Sequence, residues 1–280
     1  LVVAYALAAA QTGRPDFRRT AFAIADYIMR DLRVTADDGA FLGYASAEDA
    51  DDPGGEGSFY AWNPETLAAV IGPAAANVAK AWDVAAGTPH RGPSGHFEPV
   101  ASHIPHPRTN DLEALAKTQG YADAQGLRAS WEPHLAPLRH ARNTRPRPIR
   151  DDKVLTDLNG LTLSAFVTLA RLFDAERYRD AAHELIAVLR TRHEARLMRL
   201  PGRPAFITDY GHLAVGLLDA YQAFGDPKLI AFADALIAEA QGLLGASTAE
   251  GGGFFTTPAD RTDLIRRSRE HHDGPYPAGQ

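Results

Sequence analysis

Apolar residues recur at spacings of three and four in three similar parts of the chain, at residues 6–32, 168–193 and 217–244. This spacing is typical of one face of an amphipathic helix. A short break interrupts each part once, at Gly13-Arg14-Pro15, Asp174-Ala175-Glu176 and Gly225-Asp226-Pro227. Glycine ends a helix by tolerating a left-handed conformation, and proline suits the first position of the next helix. The pattern predicts three helical hairpins, which form a weak internal repeat.

The two helices of each predicted hairpin differ in how much of their surface is apolar. In the second helices, as at Leu229, Phe232, Leu236 and Leu243, the apolar residues occupy one stripe. The first helices are apolar around more of their circumference, which favours an inner position between other elements. Alternating inner and outer helices predict an all-α fold, an α/α toroid, formed by residues 1–280 as a single domain.

Glycine-rich or aromatic segments follow the three hairpins, at residues 37–62, 200–211 and 250–260. They predict loops or short β-hairpins. In a toroid such connections gather at one end, so we expect the functional site there, because loops on a rigid scaffold often carry function. Gly251, Gly252 and Gly253 predict a tight hairpin, since the lysine and the spacing of a phosphate-binding loop are absent.

The middle of the chain has a different character. Residues 85–108 are rich in proline, glycine and histidine and predict an irregular, exposed crossing. A helix is expected near Asn110–Lys117 with Asn110 as its cap. Another is expected over about Leu127–Arg142, although Pro133 and Pro137 within it disfavour a helix interior. The basic stretch at residues 139–152 is expected to be mostly loop, because its two prolines do not fit a helix interior.

Composition excludes several functional classes. The 280 residues include 29 basic and 35 acidic ones, a net charge of −6, which argues against a nucleic-acid surface. There is no apolar run of ~18 residues, so no membrane span is expected. The absence of cysteine excludes disulfides, thiol catalysis and thiolate metal sites within the chain and is compatible with the cytoplasmic location that we expect. The histidines show no metalloprotease pattern, and we expect neither a metal nor another cofactor.

The segment from residue 149 to residue 160 concentrates charge ahead of a predicted inner helix. Asp151, Asp152 and Lys153 are consecutive, and Asp157 and Asn159 follow. One interpretation is capping, since aspartate suits a helix N-terminus and Thr156 or Asp157 can accept from exposed N–H groups. The other interpretation, which we favour, places Asp151 or Asp152 at the mouth of the toroid, with Lys153 keeping a carboxylate charged.

Two further groups are candidates for the same opening. Glu48, Asp49 and Asp51 form a second acidic cluster, although a solvated turn would have the same composition. Glu56, Tyr60 and Trp62 alternate along an expected strand and would share one face. For either aromatic residue alone, core packing is the more ordinary role. Aromatic faces pack on sugar rings, and carboxylates bind hydroxyl groups.

A third group lies near the C-terminal part of the chain. Asp209 and Tyr210 begin another inner helix, where Asp209 matches Asp157 of the preceding hairpin and would lie at the same end of the toroid. Asp209 is also placed to be a helix cap. Asp273 is expected to join this end.

Six motifs occur in a fixed order and together resemble one family. They are SAEDAD (46–51), EGSFYAW (56–62), RDDKVLTDLNGL (150–161), DYG (209–211), GGGFF (251–255) and DGPYPAGQ (273–280). The chain resembles the thioredoxin-domain-containing family of spermatogenesis-associated protein 20 and its bacterial relatives. The resemblance implies an N-terminal thioredoxin-like domain upstream of Leu1, followed by an (α/α)6 toroid similar to N-acylglucosamine 2-epimerases and six-hairpin glycosidases. The chain is then a fragment that carries an incomplete toroid.

The sequence departs from the family pattern at two informative positions. Leu158 stands where the family usually has an aromatic residue, and His212 stands where it usually has an apolar one. A family-wide stacking role at position 158 and a family-wide catalytic role for His212 are therefore not expected.

Three hypotheses for function remain open from the sequence. The first is a carbohydrate-active enzyme, in which acid and base come from Asp151, Asp152, Asp49 and Asp209. Epimerisation ranks below hydrolysis, because His212 alone offers an inner-helix histidine. The second is a module that binds a sugar or other small molecule and serves the covalently linked thioredoxin-like domain. The third is a structural domain that supports a partner. The residues expected to bind the ligand are Glu48, Glu56, Tyr60, Trp62, Lys153, Asn159, Tyr210 and Asp273.

Overall fold

The computed structural model describes residues 1–50, 53, 55–84, 90–91, 97–98, 103–107, 109, 111–269, 272–274 and 277–279. This part of the chain is mostly helical, with a few short pairs of strands. Its helices and strands, in chain order, are α1 (Val2–Thr12), α2 (Pro15–Asp31), β1 (Arg33–Thr35), β2 (Phe41–Tyr44), β3 (Ala47–Glu48), α3 (Pro64–Ile71), α4 (Ala75–Ala81), β4 (His90–Arg91), β5 (Phe97–Glu98), α5 (Leu112–Thr118), α6 (Ala124–Asn143), β6 (Arg150–Asp151), α7 (Thr156–Phe173), α8 (Glu176–Thr191), β7 (Met198–Leu200), β8 (Arg203–Pro204), α9 (Ile207–Phe224) and α10 (Pro227–Leu244).

The chain divides into two compact units. The first unit combines Leu1–Ala47 with Arg150–Gln280, and the second is the continuous segment Glu48–Ile149. Each unit has hydrophobic clusters of its own.

The first unit contains the three predicted helical hairpins, α1–α2, α7–α8 and α9–α10, and this prediction is confirmed. Gly13 and Gly225 end α1 and α9 in the left-handed region, with φ of 68° and 72°, and Asp174 ends α7 in the same region with φ of 48°. Pro15 and Pro227 stand at the first positions of α2 and α10. The local chemistry of the breaks therefore sets where each helix stops and the next begins.

The core of the first unit is built around α7 and α9, the two helices with the broad apolar surface. They pack on each other along their length. Fully buried side chains from both helices meet in one cluster with the stripes of α8 and α10, and these include Leu163, Phe166, Leu169, Leu213, Leu217, Leu185 and Leu236. Each such side chain stabilises the fold by about 1.5–3 kcal/mol relative to an exposed one.

The second unit packs α3, α4, α5 and α6 around two smaller clusters. Leu115, Leu127 and Trp131 belong to one cluster, and Leu67 and Leu138 belong to the other. Helices α4 and α6 each contribute buried side chains to both clusters, and so connect them.

Several details of the middle segment differ from expectation. Asn110, the expected cap, lies outside the described residues, and Asp111 caps α5 through its side chain, which accepts from Ala114 N at 2.9 Å. Helix α6 begins earlier than predicted and continues through Pro133, Pro137 and the start of the basic stretch to Asn143. Most of residues 85–108 lie outside the described residues; β4 and β5 pair there in antiparallel orientation.

The expected strand through Glu56, Tyr60 and Trp62 is wrong. Gly57 adopts a left-handed conformation with φ of 74°, and Ser58–Tyr60 forms one turn of 3₁₀-helix. Trp62 then pairs its backbone with His103 in an isolated antiparallel bridge. The alternation of polar and aromatic residues thus comes from a tight turn and not from a pleated strand.

Candidate functional site

A buried ion cluster joins the beginnings of α7 and α9 in the first unit. Asp157 lies in the first turn of α7 and Asp209 in the first turn of α9, and their exposed fractions are 2% and 0%. Arg199 of β7 donates from Nη1 to Asp157 Oδ2 at 2.8 Å and to Asp209 Oδ1 and Oδ2 at 3.1 Å and 3.2 Å. The equivalence of the two aspartates in the repeat therefore has a structural counterpart, because both bind the same guanidinium.

Asp209 caps two helices at once. Its Oδ2 accepts from Phe206 N at 2.8 Å at the start of α9, and its Oδ1 accepts from Asp157 N at 3.0 Å at the start of α7. Side chains that accept from the first N–H groups of a helix typically contribute about 1 kcal/mol each. Both oxygens of Asp209 are therefore engaged in bonds within the protein, which is the geometry of a cap.

The surroundings of Asp209 raise the pKa of its carboxyl group. Burial, and next the negative charge of Asp157, raise the pKa of Asp209 to about 6, while Arg199 acts in the opposite direction. A buried carboxyl group that faces another carboxylate holds its proton more tightly than an exposed one.

This raised pKa predicts a pH dependence of stability. The pKa of Asp209 is about 6 in the folded chain and near 3.8 without the fold, so the folded chain binds the proton better between these values. The contribution of the Asp209 proton to the free energy of unfolding is thus fully present below pH ~4 and is lost as the pH rises through ~6. In urea unfolding, wild type should lose stability relative to Asp209→Asn between pH 4.5 and pH 7. If wild type and Asp209→Asn differ in unfolding free energy by the same amount at pH 4.5 and pH 7, the pKa of Asp209 is not raised.

A cavity of about 340 Å³ lies beside the ion cluster in the first unit. Its polar lining comes from Asp157, Arg199, Thr208, Thr256 and His272. Phe206, Ile207, Gly274 and residues 277–279 also line the cavity. Because Arg199 already binds two carboxylates here, the cavity offers no uncompensated positive charge from that residue.

Two residues of the first unit that were predicted to bind the ligand form hydrogen bonds within the protein. Asn159 is 1% exposed; its Oδ1 accepts from Tyr44 N, and its Nδ2 donates to Tyr44 O and Leu155 O, each at 2.9 Å. The hydroxyl of Tyr210 donates to Glu239, and burial followed by this bond raises the pKa of Tyr210. Asn159 therefore fastens β2 to α7, and Tyr210 fastens α9 to α10.

The charged triplet ahead of α7 lies at the surface of the first unit. Lys153 Nζ donates to both carboxylate oxygens of Asp151, at 2.9 Å and 2.8 Å, and this contact lowers the pKa of Asp151. Asp152, with a side chain 58% exposed, pairs with Arg150. Both carboxylates are thus held by adjacent cations, and neither is buried in the way that would favour a general acid.

Asp273 has a local role in the described part of the C-terminal segment. Its Oδ1 accepts from Ala278 N at 2.9 Å. The carboxylate itself is exposed, unlike those of Asp157 and Asp209.

Glu48 and Tyr60 meet in the second unit. Tyr60 donates its hydroxyl proton to Glu48 Oε2 at 2.8 Å, and Arg147 Nε donates to Glu48 Oε1 at 2.6 Å. The Glu48 side chain is 6% exposed, so the ion pair with Arg147 offsets the cost of burying its charge. Burial, followed by the bond to Glu48, raises the pKa of Tyr60. Asp49, whose N–H donates to Ile149 O, and Glu56 are exposed, and Asp51 lies outside the described residues.

An aromatic cavity of about 440 Å³ lies beside Tyr60 in the second unit. Tyr60 and Trp62 line it together with Trp82 and Trp131, whose rings are 5.6 Å apart in an edge-to-face arrangement. The guanidinium of Arg145 stacks 4.2 Å from the centre of the Trp62 ring. Two of the predicted ligand-binding residues therefore share one cavity.

Helix α6 supplies the part of this lining that sequence reasoning missed. Trp131, Leu135, Leu138 and Arg142 follow one another at spacings of four, three and four, and Arg139 stands beside them. This stripe is a recognisable helical signal. Pro133 and Pro137 obscure this signal in the sequence, because proline disfavours a helix interior.

Two searches within the described residues found nothing. They contain no group of three or more histidine, aspartate or glutamate side chains arranged to hold a metal ion. No helix of the described segments is long and apolar enough to cross a membrane.

Comparisons with known proteins agree with the resemblance noted from the motifs. No family model matches the chain. It is 28% identical to human spermatogenesis-associated protein 20 and 27% identical to the rat protein of that name, over 99% of this chain in both cases. It is 25% identical over 84% of its length to the uncharacterized protein B0495.5 of Caenorhabditis elegans. The chain spans 39%, 38% and 36% of the lengths of these three relatives.

Proposed function

We propose that this chain is a carbohydrate-binding module and that its ligand lies in the aromatic cavity of the second unit. The observation that carries the proposal is the convergence of Tyr60, Trp62, Trp82 and Trp131 around a space of about 440 Å³. Small-molecule sites commonly have this size, with mostly apolar walls and a few polar groups that fix orientation. Aromatic walls offer flat faces to the C–H groups of a sugar ring, and Tyr60 adds a hydroxyl oxygen whose proton is donated to Glu48.

Binding without turnover fits the carboxylates better than hydrolysis. Glycoside hydrolysis needs two carboxyl groups about 5–9.5 Å apart across the scissile bond. Asp151 and Asp152 are ion-paired at a surface, and Asp209 is buried with both oxygens occupied. The described residues that line the aromatic cavity include no aspartate or glutamate. Hydrolysis by this chain would therefore require a different arrangement of these groups.

The proposal predicts that loss of one aromatic wall weakens sugar binding. Tyr60→Ala should lower affinity for a bound oligosaccharide by about tenfold, since a ring contact contributes about 0.5–1.5 kcal/mol beyond its area. Isothermal titration with a panel of neutral and acidic oligosaccharides measures this, and quenching of tryptophan fluorescence gives a second readout.

Tyr5→Ala is the matched control, because Tyr5 is a partly buried tyrosine of the first unit that packs on Phe17. It should bind like wild type. If no oligosaccharide of the panel binds wild type, or if both variants bind as well as wild type, the aromatic cavity is not a sugar site. Release of reducing ends by wild type, abolished in Asp151→Asn or Asp152→Asn, would instead favour the hydrolase.

We also propose that the helical hairpins belong to an (α/α)6 toroid of the six-hairpin type and that the parent chain links this module to a thioredoxin-like domain. Support comes from the three hairpins with their inner helices α7 and α9 and from the family resemblance. In that setting, ligand binding by the module would regulate the linked domain. An experimental structure of the full-length parent protein, with and without saccharide, tests the arrangement.

A further inference from the structure

The charged groups of the aromatic cavity are cationic. Arg139 and Arg142 of α6 line it, and His106 adds an imidazole. The sequence led us to expect an acidic site, yet Glu48, which bonds Tyr60, is already paired with Arg147 at 2.6 Å. The side chains that surround the cavity therefore favour a ligand of negative charge.

The two arginines are placed to act on one ligand. They stand three residues apart on α6, which brings them to the same face of the helix. The guanidinium carbon of Arg142 is 5.4 Å from the centre of the Tyr60 ring and 5.0 Å from that of Phe59. Its Nε and Nη2 donate to the side-chain oxygen of Asn143 at 3.3 Å and 3.0 Å. A group bound beside the Tyr60 ring would thus lie near this guanidinium.

Positive charge accumulates further along the same segment. Burial lowers the pKa of Arg145, and the like charge of Arg142 lowers it further. Arg145 is fixed by bonds to the carbonyl oxygens of Phe59 and Ala61, at 3.0 Å and 2.5 Å. It therefore holds the aromatic wall in place, while Arg139 and Arg142 face the cavity.

We propose, building on the function proposed above, that this cavity selects anionic saccharides and that Arg139 and Arg142 bind the acidic group while the aromatic rings bind the sugar face. Guanidinium groups form paired, charge-assisted hydrogen bonds with carboxylates and phosphates. The acidic group is either the carboxylate of a uronic acid or a phosphate ester, and both present oxygens that match the guanidinium.

The test compares charged saccharides with neutral partners of the same shape, using the 280-residue chain and isothermal titration at low and high salt. The probes are trigalacturonic acid with its fully methyl-esterified form, and glucose 6-phosphate with glucose. At low salt the charged member of at least one pair should bind about tenfold more tightly, and the difference should shrink as salt screens the charges. Which pair shows the difference identifies the acidic group.

Three variants show which side chain causes the preference for charged saccharides. Arg139→Gln and Arg142→Gln should each remove most of the preference for the charged member, whereas Lys117→Gln, at an exposed position of α5 outside the cavity lining, should keep it. Arg139 is exposed, so its variant remains informative even if Arg142→Gln disturbs the fold.

The outcomes separate this inference from the proposed function. If the charged and the neutral saccharide of each pair bind equally well, the inference is overturned and the cavity remains a site for neutral sugars. A preference that survives in both glutamine variants overturns it too, because the charge then acts from elsewhere. If neither these probes nor the oligosaccharide panel bind at all, both proposals fail.

Discussion

Replacing Arg199 by methionine should lower the free energy of unfolding by about 3–5 kcal/mol, the largest loss that we expect from a single side chain of this protein. Methionine keeps much of the length and the apolar stem but removes the charge. Asp157 and Asp209, which are 2% and 0% exposed, would then be buried without a cation. Removing one partner of a buried ion pair costs about this much, because the remaining charge is left uncompensated. Urea denaturation monitored by circular dichroism measures it.

Two comparisons show whether the cost comes from buried charge. Arg261→Met breaks an ion pair with Asp263, in which the side chains are 34% and 60% exposed, and should leave the unfolding midpoint close to wild type. The loss in Arg199→Met should also shrink at pH 4.5, since protonation of Asp209 removes one of the two unpaired charges. A loss no larger than that of Arg261→Met, or one that is the same at pH 4.5 and pH 7, would show that the cluster is not held by Arg199.

The helical hairpins could be predicted from the sequence because their signals are local. A left-handed residue and a first-turn proline lie within three positions at Gly13–Pro15 and at Gly225–Pro227, and they decide the helix ends with little influence from distant parts. The repeat also aligned Asp157 with Asp209. Their shared position at the beginnings of two adjacent helices followed from that alignment.

The partners of the polar residues could not be predicted in this way. Arg199 is 42 residues from Asp157, and the bonds of Asn159 to Tyr44 span 115 residues. No periodicity encodes such separations, so it was open whether Asn159 would meet a ligand or the backbone of a strand. The C=O and NH2 of its side-chain amide complement the N–H and C=O of Tyr44, and this match exists only after β2 has packed on α7.

Of the residues that line the aromatic cavity, only Tyr60 and Trp62 were named from the sequence as ligand-binding residues, for a different physical reason. Tyr60 and Trp62 were identified, but the lining from α6 was undervalued because Pro133 and Pro137 remove backbone donors. Both prolines are exposed, so the carbonyl groups that lose a partner lie on the side of the helix that water reaches. The buried stripe of Trp131 and Leu138 keeps its packing, which outweighs the weakened bonds on the outer side.

Replacing Gly160 by alanine should lower the free energy of unfolding by about 3 kcal/mol, the upper end of the usual range for overpacking a core. A Cβ atom at this position would lie 2.7 Å from His212 C and Leu213 N and 2.8 Å from His212 O. All three are backbone atoms of α9, so they cannot rotate away as a side chain would. The added methyl group must separate α7 from α9 and loosen the cluster around Leu163 and Leu213.

Gly242→Ala is the matched control for the same substitution in a helix. Gly242 lies in α10 and is exposed, and a Cβ atom there would meet nothing within 4 Å. Alanine should therefore stabilise the chain by about 0.5–1 kcal/mol, because it restricts the unfolded backbone more than glycine does. The two variants thus should move the urea midpoint in opposite directions. If Gly160→Ala also raises the midpoint, α7 and α9 do not approach each other as closely as their backbones indicate, and the shared cap at Asp209, which needs that approach, cannot form.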